Sequence, residues 1–275
     1  MKILVRNKII NFNDFITALK TQIRVIYALI LREIITRYGR ENLGFLWLFL
    51  EPVIFVAGVV ILFTKFRADR GAAHFFIPIA TIIFTGWLSN KLWMTSSSRV
   101  MTAIEANIGL FYHRLVRPLD VYFARIILEI VALTGTFMIL SVILVSIHII
   151  NSPASYFHIV SGWYLMAWFT IAFSLIISGL NTLTNNILQR IWSPINLGLF
   201  IASGTFFLVE WIPPQFRPYI LLLPQVHNLE MIRYGFLGNY MHPYYNVMYS
   251  VCANIFLMLL GLMLVKLSAK KLEIE

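Results

Sequence analysis

"IILEIVALTGTFMILSVILVSIHII", residues 126–150, is the stretch on which the fold turns. As a helix it is on the order of 37 Å long, more than the ~30 Å of a bilayer's hydrocarbon core. It carries one charged side chain, Glu129, close to its start. A helix this apolar has no face to give to water. It is a membrane span.

Five further stretches read the same way or nearly so: Phe45–Phe63, Phe75–Trp93, Val160–Leu180, Ile195–Val209 and Val247–Val265. Ile195–Val209 is short for the purpose. The whole chain supports the reading, with 59% hydrophobic and only 12% charged residues in 275, and a mean hydropathy of +0.79. Soluble domains carry about 25% charged residues, so a water-facing surface cannot be covered here. The expectation is one all-α membrane domain over residues 1–275 with six transmembrane helices. The N-terminus lacks a sustained apolar core and a small-residue cleavage site, so no cleavable signal peptide is expected.

Charge sets the orientation. Of the 22 lysines and arginines, seventeen fall on the side of the two termini and five on the other. The positive-inside rule therefore puts both termini in the cytoplasm of a multi-pass protein. The net charge of +10 reads as topology and headgroup contact, with no nucleic-acid partner. The single cysteine, Cys252, permits no intrachain disulfide.

Three segments are more than loops. Residues 14–39 place Phe15, Leu19, Ile23, Ile26, Ile30 and Ile34 three or four apart, with Lys20, Arg24 and Arg32 mostly opposite. Asp14 is a fitting N-cap and Gly39 a stop. That pattern describes an amphipathic helix lying in the membrane interface, or one packed on a soluble partner. Residues 96–118 repeat apolar positions at Val100, Ile104, Ile108 and Phe111, with Pro118 ending the pattern. A short helix facing the cytoplasm, or a structured loop, would show it. Residues 211–238 hold prolines at 213, 214, 218 and 224 yet are too apolar for an ordinary external loop. They are expected to form two short re-entrant helices that dip into the outer leaflet against a pathway, the setting in which broken backbone survives at membrane depth.

Catalytic patterns are missing from the sequence. Six histidines form no zinc motif, and neither a nucleophile elbow nor a Walker A loop is present. No cofactor site and no metal site is expected in this chain. Ion-coupled carriers place ionisable groups in mid-span, whereas Glu51, Lys91 and Glu129 lie shallow, where Glu51 can pair with Lys91 or Arg37. A membrane acyl- or glycosyltransferase would need a deep Asp or His cluster. Four aromatics, Phe84, Trp87, Trp168 and Phe173, lie well inside the spans. They either pack helices or offer flat faces to sugar rings.

Three ordered motifs carry a resemblance. "LILREIITRYGRENLGFLWLFLEPVIF", residues 29–55, contains Leu43, Gly44, Trp47, Glu51 and Pro52 in order. It closely resembles the N-terminal signature of ABC-2-type permeases that export polysaccharides. "HRLVRPLDVYFARIILE", residues 113–129, is similar to the segment joining the second and third spans of capsule exporters. "PPQFRPYILLLPQVHNLEMIRYGFLG", residues 213–238, is similar to the family's signature before the last span, with a departure at Gln225.

The resemblance implies a half-transporter, not an enzyme. A second copy of the chain and separate ATP-binding cassette subunits, which bind the ATP and Mg, would complete it. The cargo would be lipid-linked polysaccharide of capsule, or else O-antigen or teichoic acid, moved across a bacterial inner membrane. Periplasmic and outer-membrane export proteins would receive it. The resemblance makes 96–118 the segment coupled to the ATPase, with Ile104, Glu105, Asn107, Phe111 and Tyr112 as contact candidates. It makes 211–238 the outer gate, with Pro213, Pro214, Pro224 and Arg233. Arg32, Arg37 and Arg40 would hold the phosphate of the cargo's anchor, since guanidinium forks suit phosphate. Pro52 would kink the first span and turn Glu51 toward the entrance.

Overall fold

The computed structural model describes residues 12–38, 50–51, 53–59, 62, 79–111 and 116–272. Among the described residues the secondary structure is helical, without strands. The helices are α1 (Phe12–Tyr38), α2 (Ile79–Met101), α3 (Pro118–Ser146), α4 (Tyr156–Leu183), α5 (Ile187–Ala202), α6 (Arg217–Ile220), α7 (Pro224–Leu237) and α8 (Val247–Leu272). Short 3₁₀ turns cover Glu105–Leu110, Val209–Trp211 and Gly238–Tyr240. Residues 53–59 are helical as well.

Three of these helices are long and apolar enough to cross a membrane: Pro118–Ser146, Tyr156–Leu183 and Val247–Lys271. They answer to the stretches expected from 126, 160 and 247 onward. The stretch expected at 45–63 lies mostly outside the described residues. The one at 75–93 falls on α2, which runs on to Met101 and buries Thr81, Thr85, Ser89, Asn90, Ser96 and Ser97. That polar content keeps it from reading as an apolar span. The short stretch at 195–209 is the poorest match. Its helix, α5, starts eight residues earlier, at Ile187, and ends at Ala202, which makes it only about 24 Å long.

Helix α4 is the axle of the bundle, packed against α2, α7 and α8. Its contact with α8 is as close as helices come. A Cβ on Gly179 would lie 2.8 Å from Leu264 Cβ, and one on Gly261 would lie 2.9 Å from Leu175 Cβ. Small residues at such a crossing let backbones approach and gain dispersion contacts that lipid cannot supply. The core beside it is aromatic. Phe84 stacks on Phe137 at 5.1 Å, Phe137 lies 4.3 Å from Trp163, and Phe236 meets Phe84 edge-on at 5.9 Å.

The polar groups of α2 are served inside the protein. Asn90 donates to Gly86 O and to Thr205 Oγ1, both at 3.0 Å, and accepts from Trp93 Nε1 at 2.8 Å. Such bonds matter because an unpaired polar group in hydrocarbon costs several kcal/mol.

The structure redraws the segment at 96–118. Helix α2 takes its first part, and the rest is the 3₁₀ turn Glu105–Leu110, broken at Asn107 (φ −126°, ψ 17°). Pro118 ends no helix. It opens α3 at the first helical position, where a missing N–H costs nothing. Asp120, in the same turn, accepts the Arg117 amide at 2.9 Å.

Candidate functional site

Two places in the fold bring expected site residues together. The first is the end of the bundle expected to face the cytoplasm. There α1 lies along α3, fastened by polar contacts. Gln22 donates to Asp120 Oδ1. Glu33 pairs with Arg125 at 3.2 Å, and Arg125 reaches on to Arg99 O at 2.6 Å and Thr102 Oγ1 at 3.1 Å. Arg32 Nη1 donates to Asn107 Oδ1 at 2.7 Å. The anchor candidate Arg32 and the coupling candidate Asn107 are thus hydrogen-bonded to each other.

Asn107 is buried and turns its amide back to Ala103 O at 2.8 Å, which holds the kink. Ile104 and Phe111 lie against the cluster of Val100, Ala103, Val121 and Tyr122. Glu105 is exposed. Arg40 and Tyr112 lie outside the described residues, as do Pro52 and the side chain of Arg37.

A second turn reaches the same place. Between α4 and α5 the chain passes through Asn185 and Asn186, both left-handed (φ 52° and 64°), a region asparagine tolerates better than most residues. Asn186 Nδ2 donates to Glu105 Oε1 at 2.6 Å. Behind it the buried Asn181 donates to Met101 O and to Asn186 Oδ1, and accepts the Gln189 amide at 2.9 Å. Lys271, near the end of α8, donates to Leu183 O and Asn185 Oδ1.

The second place is a groove between α2 and α5. One part, about 280 Å³, is lined by Glu51, Trp87, Lys91, Ser98, Asn196 and Phe200, among others. It adjoins a wider part of about 470 Å³ that shares Met94, Ser98 and Asn196 and adds Gln189 and Trp192. Glu51 and Lys91 form an ion pair at 2.6 Å, and Arg99 pairs with Glu129 at 2.8 Å. Trp87 stacks on Phe55 at 3.5 Å and meets Phe200 edge-on at 5.6 Å. Three polar atoms of the groove, Trp87 Nε1, Gln189 Oε1 and Asn196 Oδ1, have no hydrogen-bond partner among the described residues.

Of the four aromatic candidates, Trp87 alone lines this groove. Phe84 is wholly buried in the helix core. Phe173 packs on Phe169, Trp93 and Trp192, and Trp168 is half-buried on α4. Phe84 and Trp87 sit three residues apart on α2 and so share a face, Phe84 in the middle of the core and Trp87 at its edge, against Phe200 of α5.

The expected outer gate divides into a held part and a bare part. Helix α7 is buried along almost its whole length. Its Arg233, 0% exposed, donates to Phe207 O at 2.7 Å, Thr205 O at 2.9 Å and Ile82 O at 3.2 Å. Glu230 neutralises it from one turn back at 3.6 Å. Gly86 makes room for this clasp, since a Cβ there would lie 2.2 Å from Thr205 O. Pro224 opens α7, whereas Pro213 and Pro214 lie exposed ahead of α6, which buries no side chain.

Sequence reading missed Asn181, Asn186 and Arg125 as parts of this assembly. The polar run "NTLTNN" at 181–186 signals a turn, but nothing local says that it meets Glu105.

The chain matches the model of the ABC-2 type transporter family over residues 24–237. It is 38% identical over 266 residues to the capsule polysaccharide export inner-membrane protein CtrC of Neisseria meningitidis serogroup B, covering 97% of this chain and 99% of that one. With the Haemophilus influenzae protein of the same description, BexB, it shares 36% identity over 94% of this chain and 96% of the relative. The polysialic acid transport protein KpsM of Escherichia coli is 28% identical over 86% of this chain and 90% of the relative.

Proposed function

The chain belongs to the ABC-2 type transporter family, and from that premise we propose that it is the permease subunit of a capsule polysaccharide exporter in the bacterial inner membrane. The single observation that carries the cargo class is the likeness to capsule export proteins along nearly the entire chain.

Two copies face each other, each with six spans and both termini in the cytoplasm. A separate nucleotide-binding subunit binds the ATP and Mg and docks on the Glu105–Leu110 turn. Helix α1 lies on the membrane surface, and its exposed Leu19, Ile23 and Ile34 support that placement, because such a row gains by entering lipid. The groove between α2 and α5 serves as one wall of the pathway. Its Trp87 ring offers an aromatic surface to a sugar. The paired charges leave the groove nearly neutral, so a polymer passes without being held. Periplasmic and outer-membrane proteins take the cargo onward.

Arg32 is engaged by Asn107 in this structure, which leaves Arg37 and Arg40 to meet an anchor phosphate. The test is reconstitution of the chain with its nucleotide-binding partner in proteoliposomes loaded with lipid-linked capsule polymer. ATP should drive delivery to the far side, and the permease should raise ATP turnover. Turnover indifferent to the permease, or delivery without nucleotide, would refute the assignment.

A further inference from the structure

An asparagine at a helix N-cap ordinarily spends its side-chain oxygen on the amide of the second or third helical residue. Asn186 is the N-cap of α5 and does not do so. Its amide nitrogen goes to Glu105 and its oxygen accepts from Asn181. The capping duty has passed to Asn181, whose oxygen takes the amide of Gln189, the third residue of α5, at 2.9 Å. A cap has been released from its own helix and joined to another element, and a substitute has been provided behind it.

The helix so attached is weakly embedded. Among the sixteen residues of α5, Trp192 and Phe200 are its buried side chains, and Pro194 interrupts its hydrogen-bond ladder. It starts at the left-handed pair Asn185 and Asn186 and runs out at Gly204, φ 79°. It also forms one wall of the groove. Glu105 belongs to the turn on which the ATPase is proposed to dock.

From this arrangement we infer that Asn186 is a positioning residue: its hydrogen bond to Glu105 links the docking turn to α5, so that displacement of the turn shifts the groove wall. The inference rests on the function proposed above. The anchored end of α5 is the end that moves with Glu105, while Asn181 keeps the first turn of the helix intact. The contact at Trp192, whose Nε1 donates to Ser98 at 3.0 Å, is the fulcrum against α2.

Isosteric substitutions test it in the reconstituted full transporter. Asn186→Asp keeps the oxygen that accepts from Asn181 and the tolerance for left-handed backbone, but sets two acceptors against each other at Glu105. Polysaccharide exported per ATP hydrolysed should fall by about tenfold, a typical size for broken coupling, with protein yield and melting temperature unchanged. Glu105→Gln alone, whose amide oxygen still accepts from Asn186, is the reference against which the double variant is read, because it carries any loss due to docking itself. Combining Asn186→Asp with Glu105→Gln reverses donor and acceptor and should restore most of the lost export. Wild-type export per ATP in Asn186→Asp, no recovery in the double variant, or a loss that merely follows protein yield would each overturn the link. Wild-type protein that fails to couple ATP to export would instead overturn the proposed function itself.

Discussion

Helices α5 and α7 differ sharply in how they are held, although both are short helices packed on the same bundle. Helix α7 buries a ring of polar side chains and ties most of them down, with Arg233 gathering three carbonyls from two other segments, although Asn228 Nδ2, Glu230 Oε2 and Arg233 Nε have no hydrogen-bond partner among the described residues. Helix α5 buries two aromatic side chains and borders a groove with unsatisfied polar atoms. A helix closed by a network of charge-assisted hydrogen bonds resists displacement, because every small shift strands buried groups. One held by two buried rings has fewer such contacts to lose. Motion during transport is therefore expected in α5, and in the bare stretch from Trp211 to Leu222, with α7 as a fixed wall.

The most severe way to break that contrast is to cut the clasp. Arg233→Met removes the donors of Thr205, Phe207 and Ile82 and leaves Glu230 buried without its counter-charge. The expected cost is about 3–5 kcal/mol, read as loss of folded protein in detergent. Arg233→Met protein of normal melting temperature would show that α7 is not the rigid element.

Trp87→Ala probes the other side. Removing a half-buried groove ring should lower export clearly more than it lowers stability, and Trp87→Phe, which keeps an aromatic ring at the groove, should cost far less. Parallel loss of fold and export in Trp87→Ala would mean that the ring is packing, as Phe84 is.

The smallest effect is expected at the Glu51–Lys91 pair. Its carboxylate is 47% exposed, and such pairs contribute about 0–1 kcal/mol. Lys91→Met should shift the thermal midpoint little, and raising the salt concentration on wild-type protein no more. A large drop would make this ion pair a strut of the groove.

Much of this was legible in the residues, and the limits have physical causes. The stretch at 126–150 could be nothing but a span, because its apolarity runs all round the helix. The order of short helices after 211 followed from its prolines. Pro118 was read backwards, since a proline both terminates one helix and suits the first turn of the next, and only the neighbouring fold decides. Periodicity puts Phe84 and Trp87 on one face of α2 but does not give the absolute rotation of the helix, so which of them sits at the edge beside the groove was hidden. The Asn186–Glu105 contact joins positions 81 apart. No local signal encodes that.

The distance spanned by Arg233 has a bearing on biogenesis. It reaches back 151 positions to Ile82, so α2 is made well before this donor leaves the ribosome. Until then the Ile82 carbonyl lacks that donor, and the nascent chain remains an open precursor. Completion of the fold waits on the last fifth of translation, which makes late truncations as damaging to membrane integration as early ones.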